Sequence, residues 1–228
     1  MYIYSQKKYE DPIKHVIKKS INASCTVYVR IYSGRAKVHN TWNIGSGFHI
    51  YNSGYVVTAS HVTPPELINT FYEILLLFPG NVYYPATIAV TEPKYDCALL
   101  YAPDIINKVP SVELADSDTV EIGDLVAVIS SPEGMSATAT VGRVVNVHQG
   151  MGVFAPSEAW ADDLIIIDAD ILEGSSGGMC ILTDGKVAGS VMGEFGQHVD
   201  MYGAGHRAVC PSNKIKEIYR KLQEKPNP

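Results

Sequence analysis

Positive charge is in short supply in this chain of 228 residues: 18 Lys and Arg face 24 Asp and Glu, for a formal net charge of −6. Phosphate backbones are bound by clustered cations, so nucleic acid is excluded as the main partner. The one basic group, Lys14, Lys18 and Lys19, lies on a helical pattern and reads as a solvated face. Long apolar runs are also missing. No stretch could span a membrane, and the opening Met1-Tyr2-Ile3-Tyr4-Ser5-Gln6-Lys7-Lys8 has no apolar signal core. Read as a native start, this predicts a cytoplasmic protein, or one in the host cytoplasm if it is encoded by a virus. Cysteine is sparse, with Cys25, Cys97, Cys180 and Cys210 far apart and without metal-type spacing. Buried free thiols are expected, with Cys97 and Cys180 as a pair that folding could bring close.

Nothing is unusual in the bulk. A composition of 46% hydrophobic and 18% charged residues is that of a globular protein with a substantial core. The pattern along the chain changes twice. Asp11-Pro12-Ile13-Lys14-His15-Val16-Ile17-Lys18-Lys19 reads as a short helix, with Asp11 at the N-cap, Pro12 in the first turn and Ile13, Val16 and Ile17 on one face. Period-two segments follow: 26–32, 74–78 and 82–84, separated by Ser33-Gly34, Asn52-Ser53-Gly54 and Pro79-Gly80-Asn81. A second strand-rich half runs from about Val112 to Val209, and the two halves join near Asp104 to Pro110. Ser212 then caps a final helix with Ile215, Ile218, Tyr219 and Leu222 on one stripe. Short strands with frequent turns indicate an all-β protein, barrel or sandwich, between two helices.

Three elements carry chemistry. Glu173-Gly174-Ser175-Ser176-Gly177-Gly178-Met179 follows the apolar run Leu164-Ile165-Ile166-Ile167. Two glycines after a serine make a bare turn that exposes the Ser176 hydroxyl. The amides of Gly174 and Ser176 can converge there as an oxyanion hole. Ser175 is the rival nucleophile, and the glycines directly after Ser176 favour the latter. Upstream, Tyr55-Val56-Val57-Thr58-Ala59-Ser60-His61-Val62 delivers a histidine at the end of a β-branched run. Seryl oxygen needs a base at neutral pH, and imidazole suits that work. Tyr95-Asp96-Cys97-Ala98-Leu99-Leu100 sets a carboxylate at the head of another apolar run. Asp96 there can fix the imidazole tautomer. The catalytic set is His61, Asp96 and Ser176, in the chain order of the chymotrypsin triad.

With these residues the chain resembles a chymotrypsin-fold serine protease of the HtrA/Deg type. The likeness extends through Gly45-Ser46-Gly47-Phe48 with Gly54-Tyr55-Val56-Val57-Thr58, and Val120-Glu121-Ile122-Gly123-Asp124-Leu125-Val126 with Pro132-Glu133-Gly134. Ile167-Asp168-Ala169, Gly185-Lys186-Val187-Ala188-Gly189 and Ala208-Val209-Cys210-Pro211-Ser212-Asn213 complete it, from roughly residue 20 to 220. The resemblance implies two six-stranded Greek-key antiparallel β-barrels, with His61 and Asp96 on the first and Ser176 on the second. The division expected is 1–24 for tail and helix, 25–108 and 109–211 for the barrels, and 212–228 for the last helix and tail. No room is left after that helix for the PDZ domain common in such proteins, so a protease domain alone is expected. It further implies a cofactor-free serine endopeptidase acting on proteins or peptides in processing or quality control, and trimers built through N-terminal segments, here Tyr2, Ile3 and Tyr4.

The same resemblance assigns specificity less tightly. Asp170 lies six residues before Ser176, where trypsin-like enzymes keep an acidic pocket base, which suggests Lys or Arg at P1. HtrA/Deg relatives usually take small aliphatic residues. Arg207 stands where a pocket glycine is usual, so an Arg207–Asp170 pair would shorten the pocket, and an unpaired Arg207 would invite acidic side chains. Small or aliphatic P1 is the expectation, with Val191, Met192, Gly193 and Glu194 forming the strand that pairs with substrate. Chymotrypsin-type zymogens carry Asp before the nucleophile, and Ser175 here argues against activation by that ion pair. Glu173 and Met179 replace prolines that often stiffen this turn. His15 is expected on a helix surface, His39 and His49 beside a glycine hairpin, and His148 and His198 in loops, none with a second metal ligand. Two other functions fit the same fold. One is a silent binding or chaperone-like module, and the other a viral-type protease that processes its own polyprotein.

Overall fold

The computed structural model describes residues 11–33, 38–64, 70–135, 137–149, 162–194 and 206–224. Helix α1 (Pro12–Ser20) opens as the sequence predicts, with the Asp11 carboxylate accepting from the Ile13 N–H at 3.1 Å and Pro12 in the first turn. Ile13 and Val16 are buried, while Lys14, His15, Lys18 and Lys19 are exposed.

Twelve strands close two barrels of six. The first holds β1 (Ser24–Ser33), β2 (Val38–Ile50), β3 (Tyr55–Thr58), β4 (Thr70–Phe78), β5 (Val82–Glu92) and β6 (Cys97–Tyr101). The second holds β7 (Leu125–Ser130), β8 (Thr138–Gln149), β9 (Leu164–Ile167), β10 (Met179–Leu182), β11 (Val187–Glu194) and β12 (Arg207–Pro211). The orders are β1-β2-β3-β6-β5-β4 and β7-β8-β9-β12-β11-β10, so one winding occurs twice, and every pairing is antiparallel. Closure removes the open sheet edges that invite aggregation.

Three apolar cores explain why some strands are continuous rather than alternating. Val27, Val56, Ile74, Leu76 and Leu100 fill the first barrel, and Val126, Val128, Ile165, Ile167 and Val209 the second. Their sequence neighbours Val57, Leu99, Leu164 and Ile166 join Phe48, Ile129, Met179 and Ile181 in a third core shared by both barrels. A strand buried on both faces has no polar face to alternate with. β3, β6 and β9, which flank the candidate site residues in the chain, are of this kind.

The connecting segment is pinned by His49, which is fully buried. Its Nδ1 lies 3.2 and 3.1 Å from the carbonyls of Val109 and Pro110, and its Nε2 accepts from the Gly54 N–H at 3.2 Å. That pattern needs a neutral ring with the proton on Nδ1, and burial pushes its pKa down. Helix α2 (Ser212–Gln223) packs Ile215 and Ile218 into the shared core and lays Tyr219 against Tyr51 and Tyr55 of the first barrel.

Two local expectations are corrected. Ser212 does not cap α2: Pro211 is the N-cap, and the Ser212 hydroxyl instead donates to the Ala115 carbonyl at 2.7 Å, tying the helix to the linker. His148 is not in a loop but within β8, paired with Asp163. His39, His198 and the tail with Tyr2, Ile3 and Tyr4 fall outside the described side chains.

Candidate active site

β3 and β6 run antiparallel with Thr58 opposite Ala98, so the end of one meets the start of the other. His61 sits in a 3-10 turn (Ser60–Val62) just past β3, and Asp96 just ahead of β6. Asp96 has a left-handed backbone (φ 46°), which turns the chain sharply after the 3-10 segment Pro93–Tyr95. The result is a clamp. Asp96 Oδ2 lies 2.7 Å from His61 Nδ1, while Oδ1 accepts from the His61 N–H at 3.0 Å and the Ser60 hydroxyl at 2.8 Å. The Asp96 carbonyl also takes the Ser60 N–H at 3.1 Å. Asn43 donates to the His61 carbonyl at 3.0 Å.

Among the described residues, this leaves the other ring nitrogen of His61 without a partner. With Nδ1 held by a carboxylate, the neutral ring carries its proton there and presents Nε2 as a base. The hydrogen bond to Asp96 raises the His61 pKa, opposed by partial burial. The His61 side chain is half exposed, whereas Asp96 is mostly covered.

Ser176 lies between β9 and β10 on a turn stapled by backbone hydrogen bonds. Gly177 N–H donates to the Val191 carbonyl at 2.8 Å, Val191 N–H to Gly178 at 2.9 Å, and Gly178 N–H to Ser175 at 2.9 Å. Gly177 is obligatory: its φ is +86°, and an added Cβ would sit 2.2 Å from the Ser46 carbonyl oxygen. The two serines differ plainly. Ser175 is 1% exposed, its Oγ accepting from the Ser130 hydroxyl at 3.2 Å and the Leu172 N–H at 3.3 Å. Ser176 is partly exposed, and its hydroxyl donates to the Met192 carbonyl at 3.4 Å. A rotation about one side-chain bond frees it.

Gly174 has φ +89°. The carbonyl of Glu173 accepts from the Glu133 N–H at 2.8 Å. In a trans peptide the N–H opposes the C=O, so the Gly174 N–H points away from the 131–134 segment. Among the described residues, neither the Gly174 nor the Ser176 N–H has a hydrogen-bond partner. The Glu173–Glu133 bond stiffens the turn.

The remaining candidates are spread out. Val191 is buried, and its N–H and C=O are both used by the serine turn, so any extended ligand meets β11 from Met192 onward. A bulge between Val191 and Gly193 bends the strand there, and Gly193 is open to its surroundings. Arg207 is buried on β12 with its Nη1 on the His206 carbonyl, whereas Asp170 is exposed. All four cysteines are free and buried. Cys97 and Cys210 both lie in the shared core, where the Cys210 thiol is directed at the Pro211 carbonyl at 3.9 Å, whereas Cys180 lies inside the second barrel and is not the partner of Cys97. Sequence reasoning passed over Ser60, Asn43, Ser46 and Ser131. Only Ser60 gave a signal, a hydroxyl directly before the candidate base.

A profile of the trypsin-like peptidase domain matches residues 45–189, well over half of the chain. The chain belongs to the trypsin-like peptidase domain family. Its relatives include DegP-like proteins named as probable periplasmic serine endoproteases. That of Bartonella henselae is 31% identical over 79% of this chain and 33% of its own length, and that of Rickettsia prowazekii 31% over 83% and 35%. The chain thus spans about a third of the length of these curated relatives. A serine endoprotease from Yersinia pestis superposes with a TM-score of 0.71 at 21% identity, covering 92% of this chain and 66% of the other, a likeness of fold. These names overturn the expectation of a cytoplasmic protein: they point to the periplasm. That expectation rested on the first few residues alone.

Proposed function

We propose that this domain is a serine endopeptidase that cleaves protein or peptide substrates through an acyl-enzyme, in protein processing or quality control of the HtrA/Deg kind. His61 removes the Ser176 proton as Oγ attacks the carbonyl carbon. The C=O π pair moves onto oxygen, where the Gly174 and Ser176 N–H groups receive it. The intermediate collapses, the C–N bond breaks, and the amine leaves with the proton from His61. Water, deprotonated by His61, then releases the acid by the same route. Asp96 keeps the tautomer and stabilises the imidazolium. On this reading the halves 25–108 and 109–211 supply base and nucleophile to one cleft, and Met192 and Gly193 receive the substrate strand.

The observation that carries the reading is the two-handed hold of Asp96 on both the ring and the backbone N–H of His61. A carboxylate kept merely for folding has no need to fix a histidine tautomer. Against a silent binding module stand the inward turn of Ser175 and the exposure of Ser176. The test is hydrolysis of an unfolded protein substrate by wild type and Ser176→Ala. A fall of about 10⁴-fold or more with an unchanged thermal transition is expected. Equal turnover by the two proteins would overturn the proposal.

A further inference from the structure

We infer that Ser46, on the first barrel, is the positioning residue that sets the oxyanion turn of the second, an inference that rests on the peptidase reading above. Ser46 is fully buried at the barrel interface, where its N–H, carbonyl and hydroxyl together make four hydrogen bonds. Its N–H donates to the Ser176 carbonyl at 2.8 Å. Its hydroxyl donates to the Gly174 carbonyl at 2.7 Å and accepts from the Ser131 N–H at 2.8 Å. Its own carbonyl accepts from the Thr58 hydroxyl at 2.7 Å, which anchors it to β3. One residue therefore grips the carbonyls of both residues whose N–H groups face the developing oxyanion.

The need for such a grip is physical. Gly174 has no Cβ to limit its dihedrals, so the planes on its two sides, 173–174 with its own N–H and 174–175 leading to Ser176, must each be held by an outside partner. The Glu173 carbonyl is fixed by Glu133, and the Gly174 carbonyl by Ser46. Ser131 and Glu133 belong to one short turn, so the 131–133 segment and Ser46 form a closed frame around the glycine. Space reinforces it: a Cβ on Gly174 would meet the Glu133 nitrogen at 2.9 Å. Removing the Ser46 hydroxyl leaves the Gly174 carbonyl and the Ser131 N–H buried without partners, so the 174–175 peptide loses its anchor. That freedom passes to the 173–174 and 175–176 planes on either side, which carry the two oxyanion N–H groups, while His61, Asp96 and the Ser176 side chain stay in place.

The test compares Ser46→Ala with Ser212→Ala, which deletes an equally short buried serine–carbonyl bond far from the cleft. Ser46→Ala is expected to lower kcat ten- to hundredfold with KM changed less than about threefold. A peptide boronate, whose tetrahedral adduct uses the oxyanion donors, should lose affinity by the same factor. Binding of the uncleaved peptide to Ser176→Ala should change less than about twofold when Ser46→Ala is added. Ser212→Ala should leave kcat and boronate affinity as in wild type. Should Ser46→Ala not fold, Ser46→Cys keeps the volume with a weak thiol donor and carries the same expectation. Equal kcat and boronate affinity for Ser46→Ala (or Ser46→Cys) and Ser212→Ala would overturn the inference. A wild type that neither hydrolyses peptide nor forms the boronate adduct would instead overturn the peptidase reading beneath it.

Discussion

The two barrels share one winding, yet they hold their parts of the cleft by different means. In the first, side chains do the holding: Asp96, Ser60 and Asn43 make discrete hydrogen bonds to His61 or to each other. In the second, backbone does it: Ser176 rides on glycines whose missing side chains let strands approach to hydrogen-bonding distance. The difference follows from the chemistry proposed. A base must keep one tautomer, which only a charged or polar partner can impose. A nucleophile with two amide donors needs a backbone shape, which only close packing and left-handed dihedrals can impose.

The contrast can be broken from either side. The largest effect is expected from Asp96→Asn, which keeps the shape of the clamp but imposes the wrong tautomer. In the Ser-His-Asp triad this exchange lowers kcat by about 10⁴, and a similar fall is expected here. The same variant should move the acid limb of kcat/KM to lower pH. The bond to Asp96 raises the His61 pKa, so the wild-type limb lies above the ordinary value of about 6.5. Steady-state kinetics from pH 5 to 9 give both numbers.

Gly177→Ala tests the backbone side. Its Cβ meets the Ser46 carbonyl and the Ala59 nitrogen at 2.2 and 2.8 Å, in a region of φ unfavourable for L residues. A destabilisation of about 3 kcal/mol, read from urea unfolding, and a loss of roughly 10²-fold in kcat are expected. Ser60→Ala is milder, because Oδ1 of Asp96 keeps the His61 N–H; a fall in kcat of roughly tenfold or less is expected. The smallest effect concerns His49, which takes no part in the cleft. Burial lowers its folded-state pKa, so the folded protein binds fewer protons than the unfolded chain below about pH 6.5. The stability it contributes is present above that pH and is lost as pH falls through the folded value. Wild type should therefore lose more thermal stability between pH 7.5 and 5 than His49→Gln does, with no change in kcat.

How much of this could be read from the sequence differs between the same two regions. Ser176 announced itself through the two glycines, since few other residues tolerate such a turn. His61 and Asp96 were readable because β-branched and apolar runs deliver them to neighbouring strand ends. The repeated winding was invisible to periodicity, which marked strands but not their order, and entered through the family resemblance. Ser46 was quoted only as part of a motif, because a buried serine contacting three distant backbone groups leaves no pattern in one dimension. Ser212 misled for the opposite reason: a serine at a helix start usually caps, but here a linker carbonyl competed for its hydroxyl and won. Cys97 misled as well, since inward and outward faces of a doubly buried strand cannot be told apart from residue type.

The most direct measurement is to expose the protein to a fluorophosphonate and locate the adduct by mass spectrometry of the peptide spanning residues 171–186. The account predicts one adduct, on Ser176, lost in His61→Ala and slowed by at least an order of magnitude in Ser46→Ala. A protein left unmodified, or modified on Ser175 with Ser176 untouched, would contradict it.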